Sequence, residues 1–205
     1  MGLVKMSVAK ETKKLDRPLE LGAFMRELEK AGRINKDQLD TVASLRRTPA
    51  QQKAHLLAFI AEQNLDDQKS PGQKLNLESL TRFLAEFSKQ EYFHIDPLSI
   101  DAAKVTQAMS YAFTQRHKIM AVAVTSDEIV IASAEPYVCS WEVDLEHVLR
   151  KPIKRVVANP VELQRMTEEL YRLAASIDLA TTGGSSSSVG ITNLEQMLEL
   201  GTLKD

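Results

Sequence analysis

Cys139 is the side chain in this sequence whose placement best suits covalent chemistry. It lies at the predicted start of a helix, and a helix N-terminus favours the thiolate form of a cysteine. Glu135 follows a predicted strand and could serve as a catalytic acid. Both residues have simpler interpretations. Cysteine is a common small buried residue, and Pro136 after Glu135 favours a turn that leads into the helix. We therefore predict no catalytic residue. An enzyme with its active site around Cys139 or Glu135 ranks third, after the two binding functions given at the end of this section.

Phosphate and metal motifs are missing from the sequence. The phosphate-cradling pattern GxxxxGK[ST] does not occur, since Gly183-Gly184 lead into serines, and no GxGxxG follows a predicted strand. The histidines are scattered among different elements without the spacing of an HExxH zinc site; they are His55, His94, His117 and His147. We therefore expect no cofactor-binding site of the usual kinds, no metal site, and no ATP hydrolysis by this chain alone.

The composition predicts a cytoplasmic protein with no affinity of its own for nucleic acid or membranes. The 205 residues include 26 basic and 28 acidic side chains and one cysteine. Balanced charge creates no overall field for polyanions, and a single cysteine cannot form an internal disulfide. No apolar run approaches the roughly 18 residues that span a bilayer, and the N-terminus is too briefly apolar for a secretory signal. Membrane association would therefore come through a partner.

Residues 18–90 predict a small helical bundle. An apolar stripe ends near Gly32, a residue type favoured just after helices; its members are Leu21, Phe24, Met25 and Leu28. A second helix begins at Asn35, and Pro49 begins another. The side chains expected to face inward from the second helix are Leu39, Val42 and Leu45.

Residues 91–177 predict an α-β-β-α-β-α unit with a small sheet, so the fold class is α+β. Apolar runs at 119–124 and 129–133 flank a four-residue turn, as in a hairpin, and 153–158 is the third strand. Asn159-Pro160 begins the last helix with an N-cap and a proline at the first helical position. The first helix is predicted over Ala102–Arg116. Inward side chains are expected at Trp141, Leu145 and Val148 in the second helix, and at Leu163, Met166, Leu170 and Leu173 in the last.

Both ends of the chain are predicted to lie outside the folded part. Residues 1–17 are polar and lysine-rich and are expected to be a flexible tail, with an amphipathic arm as the alternative. Residues 178–192 form a Gly/Ser linker, because such a run buries too little surface to fold. Residues 193–205 look like a short amphipathic helix that starts a truncated following domain. The alternative is a tail that folds back onto the α/β unit.

Three ordered phrases carry a resemblance to a known family: FHIDPLSIDAAKV, AMSYAFTQRHKIMAVAVTSDEIVIASAEPY and KPIKRVVANPVELQRMTEELYRL. Together they resemble the N-terminal domain of the ATPases of type II secretion and type IV pilus assembly. The likeness covers about 24–177 and is strongest over 93–174. Two positions depart from the family pattern, which has aspartate at Glu135 and proline at Ala121.

Some members of this family bind cyclic di-GMP through duplicated motifs that begin Arg-Leu-Gly. This sequence has Ala23-Phe24-Met25 at the first motif and His55-Leu56-Leu57 at the second. Both copies lack the arginine that would pair with a phosphate and the glycine that lets the backbone approach it. The remnants of the first motif are Leu28, Gly32, Ile34, Gln38 and Leu39. We therefore expect no dinucleotide binding.

The resemblance implies a non-catalytic docking or regulatory domain that anchors a motor to its inner-membrane platform. The implied partners are the cytoplasmic domain of a platform protein and the chain's own ATPase core, expected to be hexameric. ATP and magnesium would bind only in that missing motor domain. The alternative function is a cyclic di-GMP-sensing regulatory domain of such an ATPase.

Overall fold

A computed structural model describes residues 16–182, with side chains described through Ile177. The predicted tail therefore lies outside the described residues except for Asp16 and Arg17. The linker from Gly183 onward and the segment 193–205 lie outside them as well. The structure combines helices with a small sheet, which confirms the α+β class predicted from the sequence.

The N-terminal half of the described chain is a bundle of short helices. Their starts follow capping signals in the sequence, including a capping box between Asn35 and Gln38 and a proline at the first position of the third helix. Gly32, with φ of +68°, ends the first helix in the left-handed conformation. The helices are α1 (Leu21–Lys30), α2 (Lys36–Ser44), α3 (Pro49–Lys53), α4 (Leu56–Glu62) and α5 (Leu77–Ser88).

Leu45 does not face inward as predicted. Helix α2 ends at Ser44, and Leu45 follows it with extended backbone, φ −71° and ψ 136°. Its side chain therefore leaves the apolar stripe and is 41% exposed.

The charged loop between α4 and α5 is tied to the bundle by a buried ion pair. Arg33 reaches Asp67 with two hydrogen-bonding contacts, Nε to Oδ1 at 3.0 Å and Nη2 to Oδ2 at 2.7 Å. Asp67 is 5% exposed and also accepts a hydrogen bond from the backbone of Lys69. Burying a carboxylate requires such partners, so the loop has a fixed conformation although its sequence is that of a turn.

The C-terminal half contains a four-stranded sheet in the order β1-β4-β3-β2. Strands β2 and β3 form the predicted antiparallel hairpin, whereas β4 lies parallel to both of its neighbours, β3 and β1. The two-residue strand β1 was not predicted, because two residues carry no periodic signal. The strands are β1 (Glu91–Tyr92), β2 (Ile119–Val124), β3 (Ile129–Ser133) and β4 (Ile153–Val157).

The helix predicted over Ala102–Arg116 is two helices in the structure. Met109 ends the first with extended backbone and is buried, and the Ser110 hydroxyl then accepts a hydrogen bond from the Phe113 N–H to cap the second. A local N-cap thus interrupted an otherwise helical pattern. The helices of this half are α6 (Ala102–Ala108), α7 (Tyr111–His117), α8 (Ser140–Leu149) and α9 (Pro160–Thr182), and a 3₁₀ turn spans Pro97–Ser99.

Two predicted inward side chains are exposed. In α8 the core contacts come from Trp141 and Leu145 with half-buried Leu149, and Val148 is 74% exposed. In α9 the predicted stripe is buried at Leu163, Met166 and Leu170, but Leu173 is 51% exposed and lies outside the core.

Helix α9 also runs beyond the predicted boundary at Ile177 and reaches Thr182. No glycine or proline interrupts the helical pattern before Gly183, so nothing in the sequence ends the helix earlier.

Strand β4 is a wall shared by two apolar cores. Successive strand side chains point to opposite faces of a sheet. Val156 accordingly joins the core of the α/β unit, which includes Trp141 and Met120, and Val157 joins the core of the helical bundle. Helix α5 packs on β1 and β4. The two halves are therefore joined by continuous apolar packing.

The α9 stripe gives a matched pair of substitutions. Leu170→Ala removes a side chain that is 6% exposed and should lower the free energy of unfolding by about 2–4 kcal/mol. Leu173→Ala, in the same helix, should change it by no more than about 0.5 kcal/mol. Urea denaturation followed by the fluorescence of Trp141 measures both, and equal losses would contradict this packing of α9.

Candidate functional site

Glu135 and Cys139 lie in one loop, but the structure gives each a structural partner. The loop joins β3 to α8 and is called the junction loop below (residues 134–139). The Glu135 carboxylate accepts a hydrogen bond from the Leu19 N–H at 2.8 Å, and its other oxygen lies 3.3 Å from Nε2 of His55. Cys139 is half-buried at the N-cap position of α8. Glu135 therefore joins the helical half to the α/β half.

The remnants of the dinucleotide motif serve the packing of the helical half. Leu28 and Ile34 are buried in its core, and Leu39 packs against that core. Gln38 caps α2 and donates its side-chain N–H to the Asp66 carbonyl at 3.0 Å. These contacts do not test the prediction that the chain binds no dinucleotide.

Gly32 has open space around it. The nearest atom to a Cβ placed there is Cε of Lys69, at 3.9 Å. Gly32 thus keeps the left-handed backbone and the open surroundings that a glycine of the motif provides.

Arg155 of β4 holds the junction loop in place. Its Nη2 donates to the carbonyls of Pro136 at 2.6 Å and Val138 at 3.1 Å. Its Nη1 pairs with Glu142 at 2.9 Å, and the guanidinium lies 5.6 Å from the ring centre of Trp141. The side chain is only 18% exposed, so these partners replace the water that a buried cation would otherwise lose.

The first described residues form a strap, residues 16–19, across the junction loop. Asp16 accepts hydrogen bonds from the backbone N–H groups of Cys139 and Ser140, at 2.8 and 2.9 Å. Arg17 donates its backbone N–H to the Tyr137 carbonyl at 3.3 Å, and its guanidinium lies 5.8 Å from the centre of the Tyr137 ring. Asp16 and Arg17 were assigned to the tail by sequence, and the structure attaches both to the fold.

Helix α5 approaches the same loop from the other side. Phe87 contacts the Tyr137 ring edge-on, with ring centres 6.3 Å apart, and Gln90 donates to the Pro136 carbonyl at 3.1 Å. Tyr92 donates its hydroxyl to Glu78 of α5 at 2.6 Å, and burial raises the pKa of Tyr92, with the Glu78 hydrogen bond acting in the same direction.

A groove of about 580 Å³ opens between the strap, the end of α5 and the junction loop. Its walls carry two guanidinium groups and a set of neutral polar groups, and they are formed by Arg17, Ser88, Gln90, Pro136, Tyr137, Cys139 and Arg155. The two terminal nitrogens of Arg155 are engaged, Nη2 with the loop carbonyls and Nη1 with Glu142, so this residue stabilises the wall of the groove.

Within residues 16–177, no group of three His, Cys, Asp or Glu side chains lies close enough to bind a metal ion. No helix in the described part of the chain is both long and apolar enough to cross a membrane. The polar side chains that could have formed a reactive cluster are instead paired with backbone groups and with each other around the junction loop.

Sequence reasoning missed Asp16 and Arg155 as important residues. Arg155 gave a signal, because a charged residue in the run Ile153–Ala158 needs a partner if it is buried. Asp16 gave none, since its partner Cys139 is 123 residues away.

Replacing Glu135 tests the junction. Glu135→Ala leaves the Leu19 N–H without its acceptor and removes the carboxylate beside His55, and it should lower the free energy of unfolding by about 1–3 kcal/mol. The control is Glu91→Ala, which removes an exposed pair with Lys154 and should have little effect. Urea denaturation measures both, and a Glu135→Ala protein as stable as the control would show that the carboxylate does not join the halves.

The hydrogen bonds of Asp16 predict that the folded protein loses stability in acid. Hydrogen bonding from the Ser140 side chain and from two backbone N–H groups lowers the pKa of Asp16 below 3.8, against burial, which raises it. A lowered folded-state pKa means that the stabilisation is complete above about pH 4 and is lost as the pH falls through the folded-state pKa. The stability advantage of the wild type over Asp16→Ala should therefore shrink below about pH 4. The difference between Asp16→Asn and Asp16→Ala should not vary in this way.

Comparisons with known proteins agree with this architecture. Residues 88–177 match the MshEN domain family. Over 178 residues, 86% of the chain, the sequence is 31% identical to the type IV pilus assembly ATPase TfpB of Acinetobacter baylyi, and this stretch spans 30% of that relative's length.

One solved structure of low sequence identity shows the same fold. The structure of MshE with cdg has a TM-score of 0.50 and 17% sequence identity, over 75% of this chain and 99% of that chain. The N-terminal domain of XpsE has a TM-score of 0.43 and 16% identity, over 74% and 96% of the two chains. These findings support the family resemblance predicted from the sequence: residues 88–177 match the MshEN domain family, and the chain is similar to a type IV pilus assembly ATPase over 178 residues.

Proposed function

We propose that this chain docks a type IV pilus assembly or type II secretion ATPase onto the cytoplasmic domain of an inner-membrane platform protein. The observation that carries the proposal is the match of 86% of the chain to a type IV pilus assembly ATPase. In a protein of that kind, the domain acts by binding and the ATP-consuming step belongs to the motor core. The proposal also includes a motor core that binds ATP and magnesium and assembles as a hexamer.

The packing of the two halves supports a docking role. Because β4 contributes to both cores and the junction loop is held by Arg155, Glu135 and Asp16, the described residues form one connected body. Binding through a preorganised surface loses less conformational entropy than binding through a loose one. A connected body on a linker also keeps the motor near its platform at high local concentration.

Exposed apolar side chains are available for such contacts. They lie on both halves and include Leu45, Leu98, Val143, Val148, Val161 and Leu173. A stable complex needs about 800 Å² of surface from each partner, so several of these side chains would have to be covered together.

Direct binding tests the proposal. The full chain is expected to bind the purified cytoplasmic domain of its platform protein with micromolar or tighter affinity in calorimetry. The platform domains of a type IV pilus system and of a type II secretion system are the two arms of the experiment. Absence of binding to either, with a chain shown to be folded by circular dichroism, would contradict the docking role.

A cyclic di-GMP sensor is the second candidate. Two observations favour it: the solved structure of MshE contains cdg, and Gly32 keeps the left-handed backbone and open surroundings of a motif glycine. Against it, Ala23 stands at the position of the motif's arginine, and Met25, at the position of its glycine, is a large side chain that is only 1% exposed.

Titration with fluorescently labelled cyclic di-GMP separates the two candidates. We expect no saturable binding by this chain at micromolar ligand, because the phosphate-pairing arginine and the approach glycine are both replaced. MshE is the positive control. Saturable micromolar binding, competed by unlabelled ligand, would make the sensor the better proposal.

A further inference from the structure

The N-terminus of helix α8 is capped by a residue from the far end of the fold. Cys139 occupies the N-cap position, but its side chain makes no capping hydrogen bond. The carboxylate of Asp16 takes that role, since one of its oxygens accepts from the N–H groups of both Cys139 and Ser140. A helix that lacks a local cap depends on whatever accepts from its first free N–H groups. The capped state of α8 therefore depends on the position of the strap.

Helix α8 is anchored by a few apolar side chains in the core and by the pair between Glu142 and Arg155. Trp141 and Leu145 are buried, Leu149 is half-buried, and Val143 and Val148 are 63% and 74% exposed. The helix has ten residues, a length at which isolated helices are not stable. Losing a cap should therefore change the order of α8 more than it would change that of a deeply packed helix.

Among the described residues, the strap is held mainly by polar contacts. Besides the Asp16 cap, these are the bond from the Arg17 N–H to the Tyr137 carbonyl, the Arg17 guanidinium near the Tyr137 ring, and the bond from the Leu19 N–H to Glu135. Leu19 is half-buried against the helical core, whereas Arg17 and Pro18 are exposed. Release of Asp16, Arg17 and Pro18 therefore uncovers little apolar surface.

We propose that the strap is a conformational switch for helix α8: when residues 16–19 lie on the junction loop, Asp16 caps the helix. When Asp16 leaves it, the N–H groups of Cys139 and Ser140 lose their acceptor and the start of α8 frays, while Trp141 and Glu142 keep the helix attached. Release also removes Arg17 from the wall of the groove, so that Tyr137 and Cys139 become more accessible there. A partner that takes hold of the strap would in this way change the surface of the α/β half at the N-terminus of α8.

Amide hydrogen exchange of the full chain tests this switch. In Asp16→Ala the amides of the first turns of α8 should exchange about tenfold faster than in the wild type, the factor expected from losing one helix cap. Alkylation of Cys139, the only cysteine in the sequence, should accelerate as well.

Two variants separate the cap from other effects. Asp16→Asn removes the charge but keeps an oxygen that can cap a helix as well as aspartate does, so its α8 amides should exchange within about twofold of the wild type. Asp101→Ala removes a carboxylate of the same kind, which accepts from the Lys104 N–H at 3.2 Å and caps α6. It should accelerate exchange in α6 and leave α8 unchanged.

Each of three results would overturn the proposal. The first is α8 exchange in Asp16→Ala equal to that of the wild type. The second is the same acceleration in α6, β3 and α8, or an Asp16→Ala protein that does not fold, because the strap would then support the whole fold rather than one helix. The third is equal acceleration by Asp16→Asn and Asp16→Ala, which would assign the effect to the charge of Asp16.

Discussion

The buried guanidinium of Arg155 is the interaction on which the junction between the two halves depends. The junction loop leaves the sheet at the end of β3, and carbonyl groups that no longer pair with a strand need other donors. Arg155 supplies them to Pro136 and Val138, and Glu142 balances its charge. The guanidinium and the loop carbonyls stabilise each other, since a buried charge or carbonyl without a partner lowers the stability of the fold by several kcal/mol. Once the loop is fixed, Glu135 faces the strap and His55, at the N-terminus of helix α4.

Apolar packing and polar contacts have different tasks at this junction. Strand β4 joins the halves non-specifically, by giving Val156 to one core and Val157 to the other. The hydrogen bonds of the junction loop then select one orientation, because they are directional and are lost if the halves rotate. The apolar contact thus supplies stability, and the polar contacts keep the outer surface in one arrangement, which is the preorganisation that favours binding.

Local signals in the sequence predicted most of the elements correctly. The capping residues Asn35 and Asn159 and the turn between β2 and β3 act over a few positions, so their effect can be read from neighbouring residues. The wrong predictions fall where helical spacing continues but the helix or its cover does not. Leu45 follows the end of α2, and Leu173 has the spacing of a core residue but is 51% exposed, because periodicity does not record where an element or its neighbour ends.

The sequence by itself determined the α+β class, most of the helices and strands and the family resemblance, because periodicity, caps and ordered motifs are all local properties of the chain. The tertiary structure decided which polar side chains matter. In the sequence, Asp16 belongs to a polar tail and Arg155 interrupts an apolar strand. In the structure, both contact the junction loop. The physical reason is that a hydrogen bond depends on distance and direction in space, and residues 123 positions apart have neither until the apolar cores have formed.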